Sequence, residues 1–156
     1  MNPPEIEIVE YSDEFKEDIK RLNYEWLQKY FRVEERDKII LSNPKELIID
    51  EGGYVFFAKK EGKILGTISL LKANDGAYEL SKMAVSEKSR GLGIGKILME
   101  HCLDFAKKKN IKKLFLYSNK GLKPAIHLYR KYGFVEVELD EGLYERADIK
   151  MEKELA

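Results

Sequence analysis

The run from Arg90 to Lys96 (RGLGIGK) constrains this chain more than any other stretch. Glycines at alternate positions strip a turn of side chains, so a ligand can approach the main chain directly. Before it, Tyr78 to Val85 (YELSKMAV) reads as a strand. After it, a helix from about Gly93 to Lys109 carries an apolar stripe at Ile94, Ile97, Leu98, Cys102, Phe105 and Ala106. The start of that helix adds unpaired N–H groups and the positive end of its dipole. Strand, bare turn and helix start together suit a phosphate or diphosphate group.

Three anion-binding motifs compete for such a turn. A Walker A loop requires Ser or Thr after its lysine to hold magnesium, and Lys96 is followed by Ile97. The dinucleotide fingerprint requires Gly-x-Gly-x-x-Gly, whereas Gly91, Gly93 and Gly95 are spaced by two throughout. Arg-x-x-Gly-x-Gly, from Arg90 to Gly95, is the pattern that fits. This motif resembles the acyl-CoA-binding turn of the GNAT superfamily of N-acetyltransferases.

The order of elements extends the resemblance along the chain. Ile6 and Ile8 alternate with glutamates as in a strand wet on one face. Ser12 or Asp13 can cap a helix running to about Phe31, and a charged helix from Val33 to about Leu41 follows. Leu47 to Ile49 is apolar, but its secondary structure stays open. Tyr54 to Lys60 and Ile64 to Leu71 form a hairpin, and Asn74-Asp75-Gly76 turns the chain into the Tyr78 strand. Lys113 to Ser118, entered from the long helix, should lie parallel to that strand. A helix with Pro124 in its first turn and Gly133 as its stop follows, then strands from Phe134 to Leu139 and Leu143 to Met151. A second family-like motif covers Asn119, Ala125, Leu128-Tyr129 and Tyr132-Gly133-Phe134.

The resemblance implies one domain over residues 1–156 with an α+β fold of three layers, α/β/α. Its central sheet would be mixed, mostly antiparallel and of about seven strands, splayed at the two central parallel strands. Acetyl-CoA would lie in the opening. Met83, Ala84 and Val85 would pair with its pantetheine arm like an added strand. The turn Arg90, Gly91, Leu92, Gly93, Ile94, Gly95 and Lys96 would hold its diphosphate, with Asn119, Ala125 and Tyr129 on the other wall.

Within the Tyr78 strand the alternation slips. Tyr78 and Leu80 are apolar on even numbers, Met83 and Val85 on odd ones. A β-bulge produces such a slip, and so does a strand covered on both faces. The first would free main-chain groups for a ligand; both readings remain open.

Acyl transfer to an amine needs a proton acceptor for the amine, a donor for the thioester oxygen and a proton for the departing sulfur. By family position Tyr129 is the acid, since a phenol of pKa near ~10 is protonated at neutral pH. Glu79, just before the slip, is the candidate base or amine-binding carboxylate. Trp26, Tyr30 and Phe31, with Tyr144 and Arg146 near the end, are expected to line the acceptor pocket, and Arg146 is a candidate for an acceptor carboxylate. The acceptor itself, small-molecule or peptide amine, is left open. Direct attack in a ternary complex is expected, because Cys102, the one thiol, lies on a core face. The alternative is a non-catalytic acyl-CoA-binding sensor or regulatory module of the same fold.

Charge and composition exclude other classes. Lys plus Arg and Asp plus Glu both number 28, which gives no global pull toward nucleic acid. Two separated histidines, His101 and His127, and one cysteine make a poor zinc site, so no metal is expected. A single cysteine, no secretory start and no membrane-length apolar stretch lead to a cytoplasmic expectation. The family often forms dimers through sheet edges, so a homodimer is compatible with the resemblance.

Overall fold

The computed structural model describes residues 6–139 and 145–155. Strand β1 (Glu7–Glu10) leads through a short 3-10 turn, capped by Ser12, into α1 (Lys16–Tyr30), and α2 (Glu35–Ser42) follows. The undecided apolar run forms a single π-type turn, Lys45–Ile49, that buries Ile48. Strands β2 (Tyr54–Lys60), β3 (Lys63–Lys72) and β4 (Ala77–Val85) form the antiparallel meander expected of them. The glycine turn then opens α3 (Ile94–Lys108), β5 (Lys113–Ser118), α4 (Lys123–Lys131), β6 (Val135–Val137) and β7 (Ile149–Glu154).

Among the described residues seven strands make one sheet in the order β1-β2-β3-β4-β5-β7-β6, with the parallel pair β4 and β5 at its centre. Helices cover both faces. Because β2 is buried on both sides, its run YVFFA is continuously apolar, and alternation divides it between two cores. Phe56 and Ala58 face α3 in a core with Leu98, Met99 and Cys102, while Val55 and Phe57 face α1 with Ile19, Leu22 and Leu27. Each fully buried Leu, Ile or Phe there contributes about 1.5–3 kcal/mol.

The α3 stripe is rotated from the expected one. Met99 and Leu103 are buried, whereas Ile97 and Phe105 are only half-covered. The helix meets β3 where Gly66 would bring a Cβ within 2.8 Å of Ile94, so the close approach at its start sets which residues point inward. Strand β6 is shorter than the expected Phe134 to Leu139, and β7 begins at Ile149 and runs past Met151 to Glu154; Leu143 and Tyr144 of the expected strand lie outside the described residues. Strand β6 pairs with β7 only from Val135↔Glu152 to Val137↔Lys150, and β7 lies between β5 and β6.

Two features of β4 shape everything near it. Its parallel ladder with β5 runs only from Ala77↔Lys113 to Glu79↔Phe115, so Leu80 to Val85 diverge from β5 and a V opens in the sheet. Its ladder with β3 slips between Thr67 and Ser69, where Lys82 and Met83 stand opposite Ile68 alone. This is a bulge, and Lys82 occupies the left-handed region at φ +54°. The strand is also covered on both faces, with Leu80 in one core and Ala84 in the other, so both readings of the parity slip hold.

Candidate active site

A cavity of about 470 Å³ fills the V between β4 and β5. Its β4 wall is Glu79 to Val85, its far wall is Tyr117 to Asn119 with Ala125 and Tyr129 of α4, and α1 closes it with Trp26, Tyr30 and Phe31. Most of the residues singled out from sequence converge on it. Ala147 and Asp37, which had not been singled out, also line it. Tyr144 falls outside the described residues. His127 is exposed on α4 and lines no wall, and His101 packs edge-on to Phe56 with ring centroids 4.6 Å apart.

Of the glycine turn only Arg90 lines this cavity; Gly91 to Lys96 continue beyond it as exposed main chain and the start of α3. Gly91 (φ +86°) and Gly93 (φ +75°) adopt the left-handed conformation, and a Cβ built at either meets no atom within 4 Å. Gly93 begins α3 without a side-chain cap, so the first N–H groups of the helix are not consumed by the protein's own side chains. Arg90 is exposed beside them and reaches across to α1, donating to the Tyr30 hydroxyl with its guanidinium 5.3 Å from the ring centre. An open, uncapped, positively ended turn at the mouth of a splayed sheet fits a diphosphate followed by an extended arm.

The other end is built of buried charge. Asp37 of α2, fully buried, accepts from Arg146 Nη1 and Nη2 at 2.8 and 2.9 Å, from Lys82 Nζ at 3.1 Å and from the Glu34 N–H at 2.9 Å. Arg146 also pairs with Glu34 at 3.1 Å. Burial works against the Asp37 carboxylate, yet Arg146 and Lys82 outweigh it and hold its pKa below the usual carboxylate range. Arg146 is therefore engaged by two carboxylates of its own chain, which differs from the expectation that it meets an acceptor carboxylate. Sequence reasoning missed both Asp37 and Lys82. Lys82 is the charge at the centre of the parity slip, and Asp37, third residue of α2, closes a Glu34-x-x-Asp37 capping box; those were the available signals.

Glu79 lies between the two ends, 8% exposed. Burial raises its pKa, partly offset by the charges of Lys82, Arg36 and Lys150. It also lines a second cavity of about 360 Å³, with Tyr117, Phe115, Arg36 and Lys72, so it stands at the wall between the two spaces. Tyr129 is buried on α4, and burial alone pushes its hydroxyl up to about 12, which keeps it protonated. Asn119 is committed within the chain: its amide donates to the Arg146 carbonyl at 2.7 Å and its side-chain oxygen accepts from the Gly121 N–H at 2.8 Å. This pins the β5–α4 turn and the segment before β7 to each other. Cys102 is buried in the α3 core, where desolvation drives its thiol pKa upward, as expected of a packing residue.

Among the described residues no group of three or more His, Cys, Asp and Glu could hold a metal ion, and no helix is long and apolar enough to cross a membrane.

Comparison with known proteins gives this geometry a context. Residues 13–134 match the sequence model of the acetyltransferase (GNAT) family. Streptothricin acetyltransferase of Streptomyces lavendulae is 39% identical over 66 residues, 42% of this chain and 35% of that enzyme, so the chain spans about a third of that relative's length. Among solved structures, a GNAT-family acetyltransferase from Staphylococcus aureus Mu50 superposes with a TM-score of 0.88 at 24% identity, covering 97% of this chain and 100% of that one. The PaiA N-acetyltransferase of Thermoplasma acidophilum, solved in complex with coenzyme A, superposes with a TM-score of 0.74 at 24% identity, over 96% and 99% of the two chains. At these identities the structures establish the shared fold.

Proposed function

The chain belongs to the acetyltransferase (GNAT) family, whose acyl donor is acetyl-CoA, and from that premise we propose that it moves an acetyl group to a primary amine by direct attack in a ternary complex. The observation that carries the proposal is the V between β4 and β5, with a buried carboxyl on one wall and a protonated phenol on the other. In this reading residues 1–156 act as one domain.

Acetyl-CoA, when bound, supplies a thioester carbonyl as acyl donor. Gly91, Gly93, Gly95 and Lys96 would hold its diphosphate through main-chain N–H groups, with Arg90 adding charge. Met83 to Val85 would align its arm, and main chain at the bulge would donate to the thioester oxygen. Asn119 would act on the arm only through the turn it pins. Glu79 would take the amine's proton, which an alkylammonium of pKa near ~10 gives up poorly in water. A base raised by burial is better matched to that task than an ordinary carboxylate. Tyr129 would hold its proton for the departing sulfur. With Cys102 buried and disfavoured as a thiolate, no acyl-cysteine step is invoked.

The acceptor would meet Glu79 from the side of Trp26 and Phe31, whose rings stand 5.6 Å apart, or through the second cavity. A small-molecule or peptide amine with an apolar or aromatic part suits those walls. Release of free CoA thiol from acetyl-CoA, followed over a panel of amines, amino acids and peptides, tests the proposal. Turnover that requires an amine supports it. Tight acetyl-CoA binding with no thiol release across the panel would put a binding module in its place.

A further inference from the structure

The bulge residue Lys82 is held from two helices. At φ +54° it occupies a backbone state that a residue bearing a Cβ keeps only when its surroundings enforce it. Its ammonium is 3.1 Å from Asp37 Oδ1, in a pair whose side chains are 3% and 0% exposed. Its carbonyl accepts from Asn23 Nδ2 of α1 at 3.3 Å, and the same amide donates to the Ile19 carbonyl at 2.9 Å. Asp37 is itself immobilised by Arg146 and by the Glu34 N–H. The bulge is thus braced through side chains far away in sequence.

The same groups govern the charge beside Glu79. Glu34, Asp37, Lys82 and Arg146 carry two negative and two positive charges, so the cluster is neutral as a whole. Facing Glu79 are Lys82 and Ser81 of its own strand, Arg36 of α2 and Lys150 of β7. Asp37 of α2 shares the first cavity with it, and Tyr117 of β5 lines both.

We infer that the buried Asp37–Lys82 ion pair is a positioning element of the transfer site: it holds the β4 bulge toward the cleft and sets the charge that Glu79 experiences. The inference rests on the reading of Glu79 as the base. Both members act through others, Lys82 through the bulge main chain and Asp37 through Lys82.

Lys82→Met and Asp37→Asn displace Glu79 in opposite directions. Lys82→Met removes a nearby cation, so the Glu79 midpoint rises; Asp37 keeps Arg146, and no bare charge is left. Asp37→Asn removes an anion and leaves the cluster with one positive charge in excess, so the midpoint falls. A general loosening of the fold would not produce opposite signs. The measurement is the 13C titration of Glu79 in the full chain labelled with 13C-glutamate, its signal identified by its loss in Glu79→Gln. Displacements of about half a pH unit or more in opposite directions are expected, with kcat down about tenfold in each variant and KM for acetyl-CoA within about twofold of wild type. Midpoints unchanged, or moved the same way, would overturn the inference. Should Asp37→Asn fail to fold, a rise in Lys82→Met supports the charge-setting role and an unchanged midpoint overturns it.

A pair of variants isolates the backbone part. Glycine adopts φ +54° at ease, so Lys82→Gly should keep the bulge and retain several-fold more kcat than Lys82→Ala. Equal activity in those two would remove the bracing role. If the midpoints move as stated while the acid limb of the rate profile does not follow, the base reading of Glu79 fails and the ion-pair assignment stands.

Discussion

At the glycine-turn end of the cleft, the main chain around Gly91 and Gly93 is exposed, uncapped and contiguous in sequence, and in the proposed function it offers recognition to the cofactor. The other end holds Glu34, Asp37, Lys82 and Arg146, buried at Asp37 and Lys82 and part-buried at Glu34 and Arg146, joined across separations of 45 to 112 residues, and in the proposed function it borders the acceptor. The first end is specific because backbone donors can point nowhere else once the glycines set the turn. The second is specific because buried charges tolerate few arrangements: each must be paired, and breaking one pair exposes its partner to a low-dielectric interior. An exposed main-chain turn can therefore be specified by a short motif, while the charge cluster depends on the assembled fold.

The sharpest way to break this contrast is to remove the hub of the buried end. Asp37→Ala leaves Lys82 and Arg146 without their shared carboxylate, and the expected loss is about 3–5 kcal/mol of unfolding free energy in urea. A loss below about 1 kcal/mol would mean that water already compensates these charges. Next in size is Tyr129→Phe, which keeps the ring packed on Phe134, 6.1 Å between centroids, and removes only the proton donor. Turnover should fall about 100-fold with acetyl-CoA affinity within about twofold, read by stopped-flow and calorimetry; normal turnover would deny Tyr129 the acid role.

The pH dependence sharpens the same distinction. Glu79 must be ionised to accept a proton and its pKa is raised by burial, so kcat/KM should climb with pH through a limb above the ordinary carboxylate range. Tyr129, at about 12, adds no alkaline loss near neutrality. The sign for stability is the reverse: a carboxyl protonated more readily in the folded state favours folding below its unfolded pKa near ~4.3, and that gain is lost as pH rises through the folded value.

At the main-chain end the effects are smaller. Gly93→Ala meets no steric obstacle but strains a left-handed residue, so about 1 kcal/mol, or roughly fivefold, should be lost in acetyl-CoA affinity while the acceptor KM holds. The smallest change belongs to an exposed pair: Arg32→Ala, which parts from Glu145 in solvent, should cost less than about 0.5 kcal/mol. Denaturation curves of Arg32→Ala and Asp37→Ala, run side by side, compare an ion pair broken in solvent with one broken in the interior.

Much of the fold could be read from the chain because its signals are local. The apolar run of β2, the turn at Asp75-Gly76 and the Lys113 to Ser118 strand each follow from a few neighbouring residues. The parity slip in β4 was visible too, although not that Lys82 is the residue bent into the left-handed region. The sequence makes Arg146 only a candidate for an acceptor carboxylate, and its partners Glu34 and Asp37 are not legible there because they lie more than a hundred residues away. Asn119 was found at the cleft, but its amide and side-chain oxygen are spent on Arg146 and Gly121, a commitment legible only once β5 and β7 are paired.

By itself the amino-acid order determined the strand–turn–helix at residues 78–106, the division into helices and strands, and the classes of side chain brought to the cleft. Those follow from glycine's conformational range and from hydrophobic periodicity, which act over a few residues. Only the tertiary structure decided where β4 leaves β5, which way the α3 stripe faces, and which buried charges neutralise one another. These depend on distances between segments far apart in the chain, and there the penalty for burying an unpaired charge, not local propensity, selects the arrangement.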